Sequence, residues 1–514
     1  MENRSFGMKI DQIKIGAGLS IINVVLGALI QFFYTPVFLK YLGISDYGIN
    51  SFIQSLMRYM SMLNLGFGTT MLRYIVRTQV KNEDEKTNIF NGIFLVIFLF
   101  LALVCFILGL IIYFKLPLFL KETFSNREII KTQKVFLLLL VNVTISFPMI
   151  LFSTFITSKE KYIFLKFLSF INIVLNPLIS IILIKNGFGI FAIANLTLIF
   201  TILIAAVNIF YSIKLGIKIK INNYDRNILK ELVVFSFYIF LGTVIDRLYW
   251  DTDRIIIGKY LGASVIGIYS ISNMIIQLYM SVSTAVSEVL LTKINQMVAK
   301  ESNKEISNLF IKIGRLQYML IGLICTGFII FGKDFIHFWI GEKYSNEIYN
   351  MTIIIMLPLT VPLIQNVGIT ILQAKNKHKF RAQVYFIIAI MNVIFSIVLV
   401  KKYGPIGCAI GTSISLFIGN IIIINIYYHK KIKLDIVRFW KEIIKITYVI
   451  VFLPVLWSIV NIFIKFKVSI GIFILQIICY TLIYLFLIFY FAMNKMEREE
   501  VFFYLKKKKG ENNG

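Results

Sequence analysis

Long apolar runs alternate with short charged or Gly/Pro-containing breaks along the chain, at a rhythm of about 36 residues. Each run reaches the roughly 20 residues that a helix needs to cross a hydrocarbon core about 30 Å thick. Fourteen such runs are read, centred near Val25, Met60, Phe100, Ile145, Val174, Ile202, Gly242, Tyr279, Ile321, Ile364, Ile390, Leu416, Phe452 and Ile478. The pattern predicts an all-α polytopic membrane protein. The first run is too long for a cleaved signal core and no small-residue cleavage site follows it, so it is expected to persist as span 1.

Self-similarity organises these spans. Lys40-Tyr-Leu-Gly-Ile-Ser-Asp-Tyr-Gly-Ile-Asn-Ser51 aligns with Lys259-Tyr-Leu-Gly-Ala-Ser-Val-Ile-Gly-Ile-Tyr-Ser270, eight of twelve positions matching at an offset of 219. Weaker echoes join 159–183 to 377–399 and 187–193 to 404–410. The chain therefore reads as two six-helix, pseudo-symmetric bundles plus two C-terminal helices. The expected boundaries are 1–214 for the first bundle, 215–232 for a cytoplasmic linker, 233–430 for the second bundle, 431–495 for helices 13 and 14, and 496–514 for a basic cytoplasmic tail. Six is even, so matching segments enter the bilayer in the same direction and the halves are related by an axis along the membrane normal. Two like bundles that rock about a site between them suit alternating access, a requirement of transport rather than of catalysis.

Composition agrees with the spans. Of 514 residues 58% are hydrophobic and 15% charged, with a mean hydropathy of +0.82. Lys and Arg outnumber Asp and Glu by 53 to 26. On a soluble protein that excess would suggest nucleic acid, but here the basic residues cluster between apolar runs, so no nucleic-acid partner is expected. With the N-terminus taken as cytoplasmic, 36 of the 53 basic residues fall on the cytoplasmic side. The positive-inside rule then places both termini in the cytoplasm. The 115–134 loop, with five basic residues on the nominally outer side, runs against that trend. The four cysteines are far apart and inside apolar runs, so neither a disulfide framework nor a metal site is expected. No Walker A loop or HExxH is present; no cofactor is expected.

Candidate chemistry lies where charge enters the spans. By the 219 offset, span 7 contains Asp246, Arg247, Asp251, Asp253 and Arg254, which a continuous helix would gather with Trp250 on an arc of about 160°. A single charge at the bilayer centre costs on the order of 2.5–3.5 kcal/mol, so this stripe must face water or partners. Arg247 and Asp251 stand at i, i+4 and can pair. Arg58, near the middle of span 2, shares a face with Ser51, Gln54 and Ser61 and has no carboxylate beside it on its own helix. Its repeat-related position, Gln277, begins a second polar line with Ser281, Thr284 and Glu288. Arg58, Gln54, Arg247, Arg254, Trp250 and Gln277 are thus candidate substrate-binding residues. Asp246, Asp251, Asp253 and Glu288 are candidates for ion coupling. Gly407-Cys-Ala-Ile-Gly411 reads as close internal helix packing.

The segment Leu42-Gly-Ile-Ser-Asp-Tyr-Gly-Ile followed by Leu65-Gly-Phe-Gly, and Trp250-Asp-Thr-Asp-Arg-Ile-Ile-Ile-Gly followed by Lys259-Tyr-Leu-Gly, resemble signatures of the Wzx-type polysaccharide transporters. These are the O-antigen and capsule flippases of the MOP, or MATE-like, superfamily. The resemblance covers the first twelve spans. It implies a flippase that moves undecaprenyl-diphosphate-linked oligosaccharide across the bacterial plasma membrane, working beside a polysaccharide polymerase and glycosyltransferases. A diphosphate suits a guanidinium, which can donate to it in bidentate fashion. In the related lipid II flippases basic residues on span 1 help form the anion site, whereas this span 1 offers only Asn23 and Gln31. The cationic role would pass to Arg58, Arg247 and Arg254. Two alternatives share features of the sequence. A MATE-type drug or cation antiporter has the same fold, but would favour an acidic, aromatic cavity. A polytopic glycosyltransferase or polymerase would use Asp251-Thr-Asp253 as a DxD, but usually presents it in an external loop.

Overall fold

The computed structural model describes the backbone of residues 2–221, 226–289, 291–299, 302–375, 377–463 and 469–499. Among these residues every regular element is a helix. Thirteen helical stretches are long and apolar enough to cross a membrane. The first of them, Gly18–Val80, runs for 63 residues and is two crossings in one. At 1.5 Å per residue it would measure about 95 Å if straight, three times the hydrocarbon core. Its helix Glu2–Ser61 is interrupted at Gly43, whose φ of 82° and ψ of 170° are non-helical. Spans 1 and 2 meet there, and the fourteen expected crossings are accounted for.

The repeat is visible in the backbone itself. Gly262, which is Gly43 displaced by 219, has φ 89° and ψ 178° and separates Thr252–Leu261 from Ala263–Val289. Both conformations lie where an L side chain is strained, which gives the shared glycine its reason. Span 2 is broken again after Ser61, by a 3-10 turn at Met62–Asn64, and resumes as Phe67–Val80.

Two compact units divide the described chain, Met1–Ser270 and Ile271–Gly514. In the first, span 1 lies along span 5 (Tyr162–Lys185): Asn23 Nδ2 donates to the Lys166 carbonyl at 3.0 Å. Span 4 (Asn126–Ser158) starts on a capping box, in which Ser125 Oγ accepts from Glu128 N at 3.3 Å and Glu128 Oε2 from Ser125 N at 2.9 Å. The unit also holds span 7, Arg226–Trp250.

In the second unit Gly407 and Gly411 bring Pro405–Leu416 against His378–Tyr403. A Cβ on Gly407 would strike the Leu399 carbonyl, and one on Gly411 would lie 2.9 Å from Ser396 N. The GxxxG is thus an internal packing device. Span 9 (Asn303–Ile340) packs on span 13 (Ile436–Phe463) and span 14 (Ile470–Leu487). Phe331, Trp457, Phe473 and Tyr480 form an edge-to-face aromatic cluster there. The Tyr484 hydroxyl, buried in the same region, donates to the Met319 carbonyl at 2.8 Å.

Candidate functional site

Span 7 does not pass smoothly through its charged stretch. Arg226–Trp250 ends, Asp251 takes φ −112° and ψ −21°, and Thr252–Leu261 begins. Asp251 sits at that junction, yet it keeps right-handed helical angles, its N–H donates to the Arg247 carbonyl at 2.9 Å, and it pairs with Arg247 at i, i+4 as the sequence predicts. Its side chain is 4% exposed and accepts from three arginines. Arg58 Nε donates at 2.7 Å, Arg254 Nη1 at 3.0 Å, and Arg247 Nη1 at a long 3.4 Å. Arg58 comes from 193 residues away in sequence.

Counted from Gly43 and Gly262 at 1.5 Å per residue, Arg58 and Asp251 lie about 22 Å and 16 Å along their spans. Both residues therefore lie several turns inside their spans, away from the Gly43 and Gly262 ends.

The set of three guanidiniums and one carboxylate carries two positive charges, and its donors are only partly used. Arg58 Nη2 donates to Ser55 Oγ at 3.2 Å; Arg254 Nε donates to Ser270 Oγ at 3.2 Å. Among the described residues Arg58 Nη1, Arg247 Nη2 and Arg254 Nη2 meet no protein acceptor, and Arg247 Nε is buried without one. A guanidinium has five N–H donors in a fixed fork, so these are open valences for an anion. Arg58 and Arg247 are each 35% exposed in their side chains, which leaves the open donors reachable. Tyr59 pins the junction to span 2: its hydroxyl donates to the Arg247 carbonyl at 3.0 Å and lies 2.5 Å from Thr252 Oγ1.

The other candidates are placed differently. Trp250 is half-buried, stacks edge-on against Tyr249, and offers its carbonyl to Arg254 Nη1 at 3.4 Å. Gln54 is half-buried on span 2, one turn before Arg58. Asp253 is buried and accepts the Tyr269 hydroxyl at 2.6 Å, while Asp246 is exposed. Gln277 is exposed and belongs to the second unit. The side chain of Glu288, the 222–225 part of the linker, and 500–514 of the tail lie outside the described residues.

Sequence reasoning passed over Ser55, Tyr59 and Ser270, which hold the arginines or their backbone. Ser270 carried a signal, since it closes the repeat segment and corresponds to Ser51. Arg315 carries no such signal, since in the sequence it is one more basic residue near the end of an apolar run. In the structure Arg315 is 4% exposed and bound by Glu442 and Glu497. Those partners are 127 and 182 residues away, beyond any local spacing signal.

Comparison with known proteins agrees with this architecture. A protein of Shigella flexneri described as an O-antigen transporter is 21% identical over 401 residues, covering 75% of this chain and 90% of that one. The solved lipid II flippase MurJ, in an inward closed conformation, superposes with a TM-score of 0.72 at 20% identity, covering 92% of this chain and 97% of that one. An inward-facing multidrug MATE transporter of the MOP superfamily superposes at 0.64 with 12% identity, covering 78% and 96%. The model of the family described as polysaccharide biosynthesis protein matches residues 39–349, which include the signatures at 42–49 and 250–262 and every arginine around Asp251. The chain belongs to this polysaccharide biosynthesis family, as a multi-pass membrane member of MATE-like fold.

Proposed function

We propose that the protein is a flippase for lipid-linked oligosaccharide, carrying undecaprenyl-diphosphate-bound repeat units from the cytoplasmic to the outer face of a bacterial plasma membrane. The observation that carries the reading is the cluster at Asp251: three guanidiniums, one carboxylate, and donors left open among apolar spans. A diphosphate joined to lipid on one side and sugar on the other bears two negative charges, equal and opposite to the cluster. Charge-assisted bonds to such an anion are shorter and about twice as strong as neutral ones. The cost of keeping arginines in a membrane span is then offset whenever substrate is bound.

On this reading Arg58, Arg247 and Arg254 hold the diphosphate, with Gln54 and Trp250 toward the sugar. Asp251 is the counter-ion when the site is empty. Gln277 is a further candidate for substrate contact, and Asp246, Asp253 and Glu288 are candidates for proton or ion coupling. Transport proceeds by alternating access between the two repeats. Both termini lie in the cytoplasm, and the polymerase and glycosyltransferases of the same assembly line act before and after it. The relative's description as an O-antigen transporter supports the substrate class. A cationic drug, by contrast, would meet two surplus positive charges.

The test is Arg58→Ala expressed in place of the native chain. Surface glycan is expected to vanish while the protein remains in the membrane at its normal level. Normal glycan display in that strain would overturn the reading.

A further inference from the structure

The basic residues of 115–134 stand on the side where topology disfavours positive charge, and the structure fixes them there. Span 3 (Asp84–Leu120) and span 4 form a hairpin closed by 121–125. Its tip is bolted to the turns at Gly43 and Gly262: Lys131 Nζ donates to Asp46 Oδ1 at 2.6 Å, and Thr123 Oγ1 donates to the Gly258 carbonyl at 2.7 Å. Ser45 Oγ donates to Glu128 on the first of these flanks. Two of the carboxylates at this end, Asp46 and Glu128, are therefore already engaged, and Glu122 is exposed at the tip.

Below the tip both helices show the same stripe. Ile111, Lys115 and Leu118 on span 3, and Ile130, Lys134 and Leu137 on span 4, are all exposed and stand at i, i+4 and i+7. Residues at that spacing share one helix face. Gln133 Nε2 donates to the Tyr113 carbonyl at 3.3 Å, which sets Lys115 and Lys134 at one height on neighbouring helices. Each ammonium thus stands between apolar side chains on the lipid-facing surface, and among the described residues neither meets a protein acceptor. Phe114, 73% exposed, lies beside them. Lysines so placed snorkel to the headgroup layer. Pairs of lysine with aromatic rings mark the same layer: Lys259 Nζ lies 5.7 Å from the ring centres of Phe119 and Tyr260, and Lys40 Nζ lies 5.8 Å from that of Tyr41.

We propose that Lys115 and Lys134 bind the phosphate of an anionic phospholipid of the phosphatidylglycerol type in the outer leaflet, with an acyl chain along Phe114 and Leu118. Two ammoniums at one depth suit a single phosphate, and a zwitterionic headgroup would bring its own cation against them. The apolar residues above and below the lysines suit a ligand that carries hydrocarbon with its charge, which a soluble anion does not. Such a lipid offsets the positive charge that this hairpin holds against the topological trend. The proposal takes from the flippase reading only which side is outer.

The test uses the full chain, purified in a neutral detergent, without its four native cysteines and with a fluorophore on Glu122→Cys at the hairpin tip. The probe is phosphatidylglycerol carrying a nitroxide near the top of its acyl chain, which quenches the fluorophore where it binds. Lys115→Gln with Lys134→Gln should weaken this binding about tenfold or more, whereas Lys115→Arg with Lys134→Arg should keep it near the native level. Lys159→Gln with Lys161→Gln, the same loss of charge at the other end of span 4, should leave it unchanged. Nitroxide phosphatidylcholine should bind weakly and equally in all of them. Equal affinity in the native and Lys→Gln chains, or for the two lipids, would overturn the proposal, as would a site that takes polyprenyl phosphate and not phosphatidylglycerol. In intact cells a membrane-impermeant maleimide should label Glu122→Cys, and labelling only after lysis would overturn the outer-leaflet assignment. Lysine-dependent quenching in a protein whose glycan export is indifferent to Arg58→Ala would support the lipid site while removing the flippase reading, so the two fail separately.

Discussion

Two arginine sites in this chain are built on opposite stoichiometries. At Asp251 three guanidiniums share one carboxylate and several N–H groups point to no protein acceptor. At Arg315 one guanidinium meets two carboxylates. Its Nε and Nη2 form a fork onto Glu497 at 2.8 and 2.9 Å, Nη1 reaches Glu442 at 2.8 Å, and Nη2 also donates to the Ala492 carbonyl at 2.8 Å. Glu497 is itself held by Asn494 N at 2.8 Å. The second arrangement has nothing left to offer a ligand and ties span 9 to span 13 and to the segment that follows span 14. The first is costly without an anion. A buried charge by itself therefore says little about function; the balance of donors and acceptors around it separates a clamp from a binding site.

The largest expected effect falls on the clamp. Arg315→Ala leaves Glu497 buried and unpaired, a loss of about 3–5 kcal/mol. Its membrane level should collapse, and inorganic pyrophosphate should not restore it. A normal level of Arg315→Ala protein would break the comparison.

Next is Asp251→Asn, which removes the only carboxylate bonded to all three arginines. Losing these charged hydrogen bonds should cost about 1.5–3 kcal/mol, read as a lower melting temperature of the detergent-solubilised protein. Unlike the Arg315 variant, this one should be stabilised by added pyrophosphate, since the anion takes the carboxylate's place. No stabilisation would mean the open donors do not form an anion site.

Arg58→Lys keeps the charge and loses the planar fork, so glycan export should recover only in part. Full recovery would show that charge alone suffices. The smallest effect is expected for Glu442→Gln: its side chain is 25% exposed and shared with Lys445, so about 1 kcal/mol or less is at stake.

The fold was largely legible because a bilayer imposes length and hydropathy on every crossing, and because the offset of 219 survives in the shared Gly43 and Gly262 turns. The Arg247–Asp251 pair was legible as well, because i, i+4 spacing sets the two on one helical face. The three arginines were identifiable singly from their cost in a span. Their convergence on Asp251 was not, because Arg58 reaches it across 193 residues. Arg315 escaped altogether, since basic residues at the ends of spans are expected on topological grounds whether or not they are buried.

The most direct measurement is the affinity of the purified protein for a short-chain polyprenyl diphosphate, compared between the native chain and Arg58→Ala. The account predicts a loss of about tenfold or more, some 1.4 kcal/mol, with a polyprenol lacking the diphosphate binding neither protein appreciably. Equal affinity in the two proteins would contradict it.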